Sequence, residues 1–133
     1  MTLEEIMQQL QQWENEGIKK IFLNHGAREP LFGVKVEYLK TLQKKIKKDY
    51  PLSLELYNTG NSDAMYLAGL TTDPSKMTRE NLDDWAAKAY WYMLSEFTVA
   101  WVASESPYGV EMGLKWIESD KENIATAGWA TLA

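Results

Sequence analysis

The segment AYWYMLSEFTVAWVA, residues 89 to 103, carries Trp91, Tyr92, Phe97 and Trp101 beside one carboxylate, Glu96. Aromatic rings in such a run can stack on a flat ligand such as a nucleobase, an interaction worth about 1–3 kcal/mol per base. They can equally pack between helices, as aromatics at helical spacing commonly do. Trp91 and Trp101 are the candidate stacking residues. Tyr90, Tyr92 and Phe97 spread around the helix, so part of the set must be core. A second group is basic: Lys40, Lys44, Lys45, Lys47 and Lys48. Lys40, Lys44 and Lys48 share a helical face opposite an apolar stripe and could contact successive phosphates. A solvated face gives the same pattern, and lysines near a helix C-terminus also suit its dipole. His25 and Arg28 lie in a loop, NHGARE, where a histidine is more often a hydrogen-bonding surface residue than a catalyst. Glu80, Asp83 and Asp84 read as an acidic first turn that favours a helix N-terminus. No Gly-rich phosphate loop, EF-hand or HExxH motif occurs. With no cysteine and a single histidine, neither a metal set nor a cofactor is expected.

These residues belong to a chain of 133 residues that is long enough for one domain with its own core. A hydrophobic fraction of 45% and a charged fraction of 25% are those of an ordinary globular protein. No apolar run approaches a membrane span, and the N-terminus has no basic region or cleavage site, so a cytoplasmic location and no membrane partner are expected. The net charge of −5 is uneven: residues 1–50 hold nine Lys/Arg against seven Asp/Glu, and residues 51–133 hold five against twelve. The overall field repels polyphosphate, while the first fifty residues leave room for a local basic face.

Helix signals dominate. Thr2 with Glu5 makes a capping box before Leu3, Ile6, Met7, Leu10 and Trp13. Gly17 is expected to break that helix, with a second from Ile18 to Asn24 that Gly26 ends. AREPLFGVK reads as a loop, and Val36, Leu39, Leu42 and Ile46 as the stripe of a helix from Lys35 to Lys48. Further helix starts fall near Pro51, Asn61, Thr78, Trp91, Pro107 and Asp120, alternate ones about 27 to 30 residues apart. SDAMYLAGL and NIATAGWATL are rich in Ala and Gly, which lets helices approach closely. No segment alternates like a strand. The expected fold is all-α, with about nine helices: a right-handed HEAT-like or armadillo-type stack of antiparallel helix pairs in a single domain, 1–133.

On these motifs the sequence resembles the AlkD-like DNA alkylation repair family of HEAT-like repeat DNA glycosylases. LFGVKVEYLKTL (31–42) is similar to that family's N-terminal signature, NSDAMYLAGLTTDP (61–74) to the next inner helix, and YWYMLSE (90–96) to the segment with a Trp followed four residues later by an Asp. The resemblance implies an alkylpurine DNA glycosylase, duplex DNA as partner, and a chain corresponding to the N-terminal part of a longer fold. It implies that Trp91 stacks on the cationic nucleotide, while the Asp, which would stabilise the oxocarbenium-like sugar, is Ser95 here. A neutral hydroxyl cannot supply that charge. Glu96 is one residue, about 100°, further round a helix and should face elsewhere. The family's arginine pair aligns with Thr126 and Ala127, which removes a phosphate clamp. Efficient base excision is therefore not expected, and the rival reading is a non-enzymatic helical-repeat module for protein–protein interaction. ENIATAGWATLA reads as a helix with Trp129, Ile124 and Leu132 unscreened, so a homodimer through Trp129 and Leu132 is expected.

Overall fold

Thr2 sets the first helix as its sequence requires. Its hydroxyl accepts the Glu5 N–H while the Glu5 carboxylate accepts the Thr2 N–H, and α1 runs Leu3–Gln12 from there. Such a cap stabilises a helix by about 1 kcal/mol. Ile6 and Leu10, four apart, are fully buried, each contributing roughly 1.5–3 kcal/mol through burial. The computed structural model describes all residues, Met1 to Ala133, with nine α-helices, one 3₁₀ turn, one π-helix and no strand. They form two compact units, Met1–Thr72 and Asp73–Ala133. No helix is long and apolar enough to cross a membrane.

In the first unit, Asn15 caps α2 (Glu16–Asn24). The expected break therefore falls before Gly17, which lies in the first turn of this helix. Gly26, at φ 106°, ends it. Helix α3 is shorter than expected, Val36–Ile46 rather than 35–48. Lys47 turns the chain out of the helix at φ 62°, a conformation that favours glycine, and Asp49 then caps α4 (Tyr50–Asn58) with Pro51 in its first turn. Lys48 thus lies outside the helix and does not share a helical face with Lys40 and Lys44. Asn61 caps α5 (Ser62–Thr71) by accepting from Asp63 and Ala64. The Asp49 N–H donates to the Thr71 carbonyl, which ties the start of α4 to the end of α5 in an antiparallel pair.

The loop between α2 and α3 is held by a carboxylate from α5. Asp63 accepts from three successive backbone amides: Phe32 at 2.6 Å, Gly33 at 3.2 Å and Val34 at 2.9 Å. Gly33 sits at φ 74°, and a Cβ there would lie 2.5 Å from the Lys19 backbone nitrogen. Only glycine fits. Burial pushes the Asp63 carboxyl above its ordinary value, and the three amides pull it back without cancelling that effect.

The second unit opens on a 3₁₀ turn, Pro74–Lys76, capped by Asp73. Thr78 and Asn81 form a reciprocal capping box for α6 (Arg79–Lys88). Only Glu80 occupies the acidic first turn. Asp84 instead pairs with Lys88 one turn on, and Asp83 accepts from Lys115 at 2.6 Å and from the Trp116 indole at 3.0 Å. The helix expected to start near Trp91 is irregular: a π-helix, Met93–Val99, leads into α7 (Ala100–Glu105). Helices α8 (Gly109–Trp116) and α9 (Glu122–Leu132) pack antiparallel at close range. A Cβ on Gly128 would meet the Ile117 nitrogen at 2.7 Å, and one on Gly113 the Leu132 side chain at the same distance. The Ala/Gly-rich composition of α9 has its physical reason there.

Candidate nucleic-acid interface

Helix α3 turns Leu39 and Leu42 into the core of the first unit and leaves Lys40, Lys44 and Lys45 exposed. Together with the flanking Lys35, Lys47 and Lys48 they are six lysines against one acid, Glu37, within residues 35–48. Unpaired surface ammonium groups at this density form a local positive field that attracts phosphate and weakens with salt. His25 follows the last residue of α2, where its Nδ1 bonds the Ile21 carbonyl at 2.8 Å, a local capping role. Lys19, on α2, is instead ion-paired: it contacts Glu29 at 3.1 Å, which raises the Lys19 pKa.

The aromatic segment divides into an inside and an outside. Trp91 is only 4% exposed, so it does not present the open stacking face expected of it. Of its two readings, packing is the one its burial matches. Ser95 is fully buried and donates its hydroxyl to the Trp91 carbonyl at 3.3 Å, while Glu96 faces solvent. The carboxylate and the hydroxyl thus point to different surroundings, as adjacent helical residues must.

The π-helix changes which aromatics meet. In an α-helix, residues five apart lie about 140° apart, whereas the wider π turn brings them to the same side of the helix, about 50° apart. Tyr92 and Phe97 accordingly come together edge to face with centroids 6.3 Å apart, and Phe97 meets Trp101 at 5.6 Å. Trp91 touches Tyr92 at 5.3 Å from the inner end of this row. Trp101 is 47% exposed and Tyr92 is also exposed. Periodicity at 3.6 residues per turn could not have found this row, because the signal lies in a local change of helix pitch.

At the other end of the second unit, Ala127 is buried and Thr126 half-buried, so neither could replace a guanidinium at a phosphate. Trp129 is 63% exposed. Ile124 and Leu132 are half-buried instead of unscreened, with Leu132 lying against α8 at Gly113. Arg79 is held by Glu111 in a two-point ion pair, Nε to Oε2 at 2.6 Å and Nη2 to Oε1 at 3.1 Å, over the Tyr108 ring. Nowhere do three His, Asp or Glu side chains converge as a metal site.

Comparison with known proteins gives this geometry its context. A solved structure with TM-score 0.94 and 43% identity covers 99% of this chain. It is described as "a new family of proteins related to the HEAT-like repeat DNA glycosylases with affinity for branched DNA structures". Uncharacterised proteins of Listeria innocua and Listeria monocytogenes are each 33% identical over 97% of the chain. The chain spans 60% of the length of these two relatives and 56% of the solved structure. The fold is that of the HEAT-like repeat glycosylases. The family described as DNA alkylation repair enzyme matches residues 6–131, and the chain belongs to it.

Proposed function

We propose that this chain binds DNA, with preference for branched structures, and does not excise alkylated bases. The observation that carries the reading is the 43% identity, over almost the whole chain, to a structural relative described by its affinity for branched DNA. Two features of the chain support it. The lysines of α3 and its end are candidates for phosphate contacts, Lys40 and Lys44 on the helix and Lys48 beyond its end. The position resembling the family's catalytic Asp is a neutral hydroxyl in a closed interior, Ser95, beside a buried Trp91. Trp101 remains the exposed candidate for stacking in the second unit.

Binding to a four-way junction, a linear duplex of equal length and a single strand tests this directly. The junction should bind more tightly than the duplex, and both affinities should fall steeply between low and moderate salt. Lys40→Ala with Lys44→Ala should flatten that slope by about two phosphate contacts. DNA carrying 3-methyladenine or 7-methylguanine should lose its base no faster with the chain than without it. Equal, salt-insensitive affinity for all DNA forms, or base release that Trp91→Ala abolishes, would overturn the reading.

The exposure of Trp129 favours a second reading, a homodimer through α9. A Trp buries roughly 200 Å² in an interface, worth up to several kcal/mol before association costs. Sedimentation should show a concentration-dependent dimer that persists at high salt and weakens on Trp129→Glu. A strict monomer at high protein concentration would reject it.

A further inference from the structure

Beside the lysines of α3 stands an aromatic group that the phosphate contacts do not use. Tyr38, in the first turn of α3, is 38% exposed. The Trp13 ring lies against it, centroids 5.2 Å apart and planes tilted by 40°. Trp13 closes α1, where its N–H bonds the Gln9 and Leu10 carbonyls, so its backbone is fixed. The Lys35 ammonium sits 5.7 Å from the centre of the Tyr38 ring. Lys45, seven residues beyond Tyr38 and two turns along the same side of α3, is exposed as well.

We propose that Tyr38, backed by Trp13, is a stacking site for an unpaired base of branched DNA, with Lys35 and Lys45 holding the phosphates on either side of it. This rests on the DNA-binding reading above. A phenol ring between cations suits a nucleotide, because every base offers a flat π-face and every linkage an anion. A net charge of +5 over residues 35–48 selects a polyanion over a neutral or basic partner. The base must be unpaired, since bases inside a duplex are already stacked on their neighbours, whereas a single-stranded segment at a junction or gap leaves a base free to seat on the ring. On binding, the base takes the place of the Lys35 ammonium on the ring, and the ammonium moves to phosphate. Electrostatics then provides affinity for any DNA, and Tyr38 provides the preference for branches.

Anisotropy titrations of the 133-residue chain separate these roles, using a labelled three-way junction with one single-stranded thymidine arm and a fully paired linear duplex. Tyr38→Ala should weaken binding of the junction about tenfold, within the range for one stacked base, and leave the duplex within about twofold. Tyr38→Trp should retain the preference. Tyr38→Leu, which keeps apolar bulk against Trp13 but removes the ring's π-face, should lose it, and serves if the alanine variant unfolds. Lys35→Ala with Lys45→Ala should weaken both DNAs alike. The stacking site is overturned if the Tyr38 variants affect both DNAs equally or neither. Competition by poly-glutamate as effective as by oligo-thymidine of equal charge would assign the face to acidic proteins and overturn it too. A wild-type chain that binds neither DNA would reject the DNA-binding reading itself, a different outcome from an unaltered preference in the variants.

Discussion

Asp63 in the first unit and Ser95 in the second are both polar side chains shut away from water, and they are satisfied in opposite ways. Asp63 has three amide donors converging on it. Ser95 faces an acceptor, the Trp91 carbonyl. Three amides partly offset the cost of burying the Asp63 carboxyl, while the Ser95 hydroxyl is satisfied by a single carbonyl. Formal charge is also uneven: Met1–Thr72 holds nine Lys/Arg and nine Asp/Glu, Asp73–Ala133 five and ten. The segment in which the sequence resembles a glycosylase's Trp and Asp thus lies in the unit with the negative net charge, and the basic aromatic face lies in the other.

The sharpest way to break this contrast is to put a carboxylate where the second unit has none. Ser95→Asp should fail to confer base release and should destabilise the chain by about 3–5 kcal/mol, the cost of a buried charge without a partner. Urea denaturation checks this, and an unchanged midpoint would show an interior more open than its burial indicates. Next in size is the converse change in the first unit. Asp63→Ala strands three amides, two of them buried, and should cost about 3 kcal/mol. Trp13 is the one tryptophan of that unit, so a fluorescence change reporting on it should come first in the denaturation of this variant.

Close packing distinguishes the units on a smaller scale. Gly128→Val would press a side chain onto the Ile117 nitrogen and the Gly113 carbonyl, costing about 1–3 kcal/mol and loosening α8 from α9. Thermal melting should show it. The smallest effect concerns acid. Glu5 and Glu111 both have lowered pKa values, Glu5 from its bonds to Thr2 and Glu111 from Arg79. A lowered folded-state pKa adds stability above the ordinary carboxylate value of 4.5 and loses it as pH falls through the lowered one. Glu111→Gln should shrink the acid-induced fall in melting temperature slightly, since both groups are exposed and screened. A larger fall than in the parent chain would reverse the sign.

What the residues disclosed in advance follows the range of each interaction. Thr2 with Glu5, Thr78 with Asn81, Asn61 and Pro51 act within four positions of themselves, so the helix starts they set were readable from neighbours alone. Lys47 was not, because nothing in a lysine's type marks a positive φ, and a helix stripe that continued through Ile46 gave no reason to stop. The partners of Asp63 are backbone amides about thirty positions away, which no residue type encodes. Gly33 signalled a turn without signalling what holds it. Trp91 lies in a bend ahead of the helix and is buried, whereas Trp101 lies in α7 and is exposed, a difference that one regular helix drawn through both could not show. The pairing of Trp13 with Tyr38 joins α1 to α3 and was equally invisible.

The π-helix at Met93–Val99 bears on how the chain tolerates changes of length. A π turn is an α turn that has absorbed an extra residue, with the bulge confined to the helix that contains it. Removing one residue from this segment would be met by a return to ordinary α pitch, and the flanking chain would keep its course. Tyr92 and Phe97 would then stand four apart, still neighbours, and the aromatic row would survive the deletion. Helix interiors are usually where insertions and deletions are least forgiven. This one carries a spare position, next to the two residues, Ser95 and Glu96, on which any assignment by counting depends.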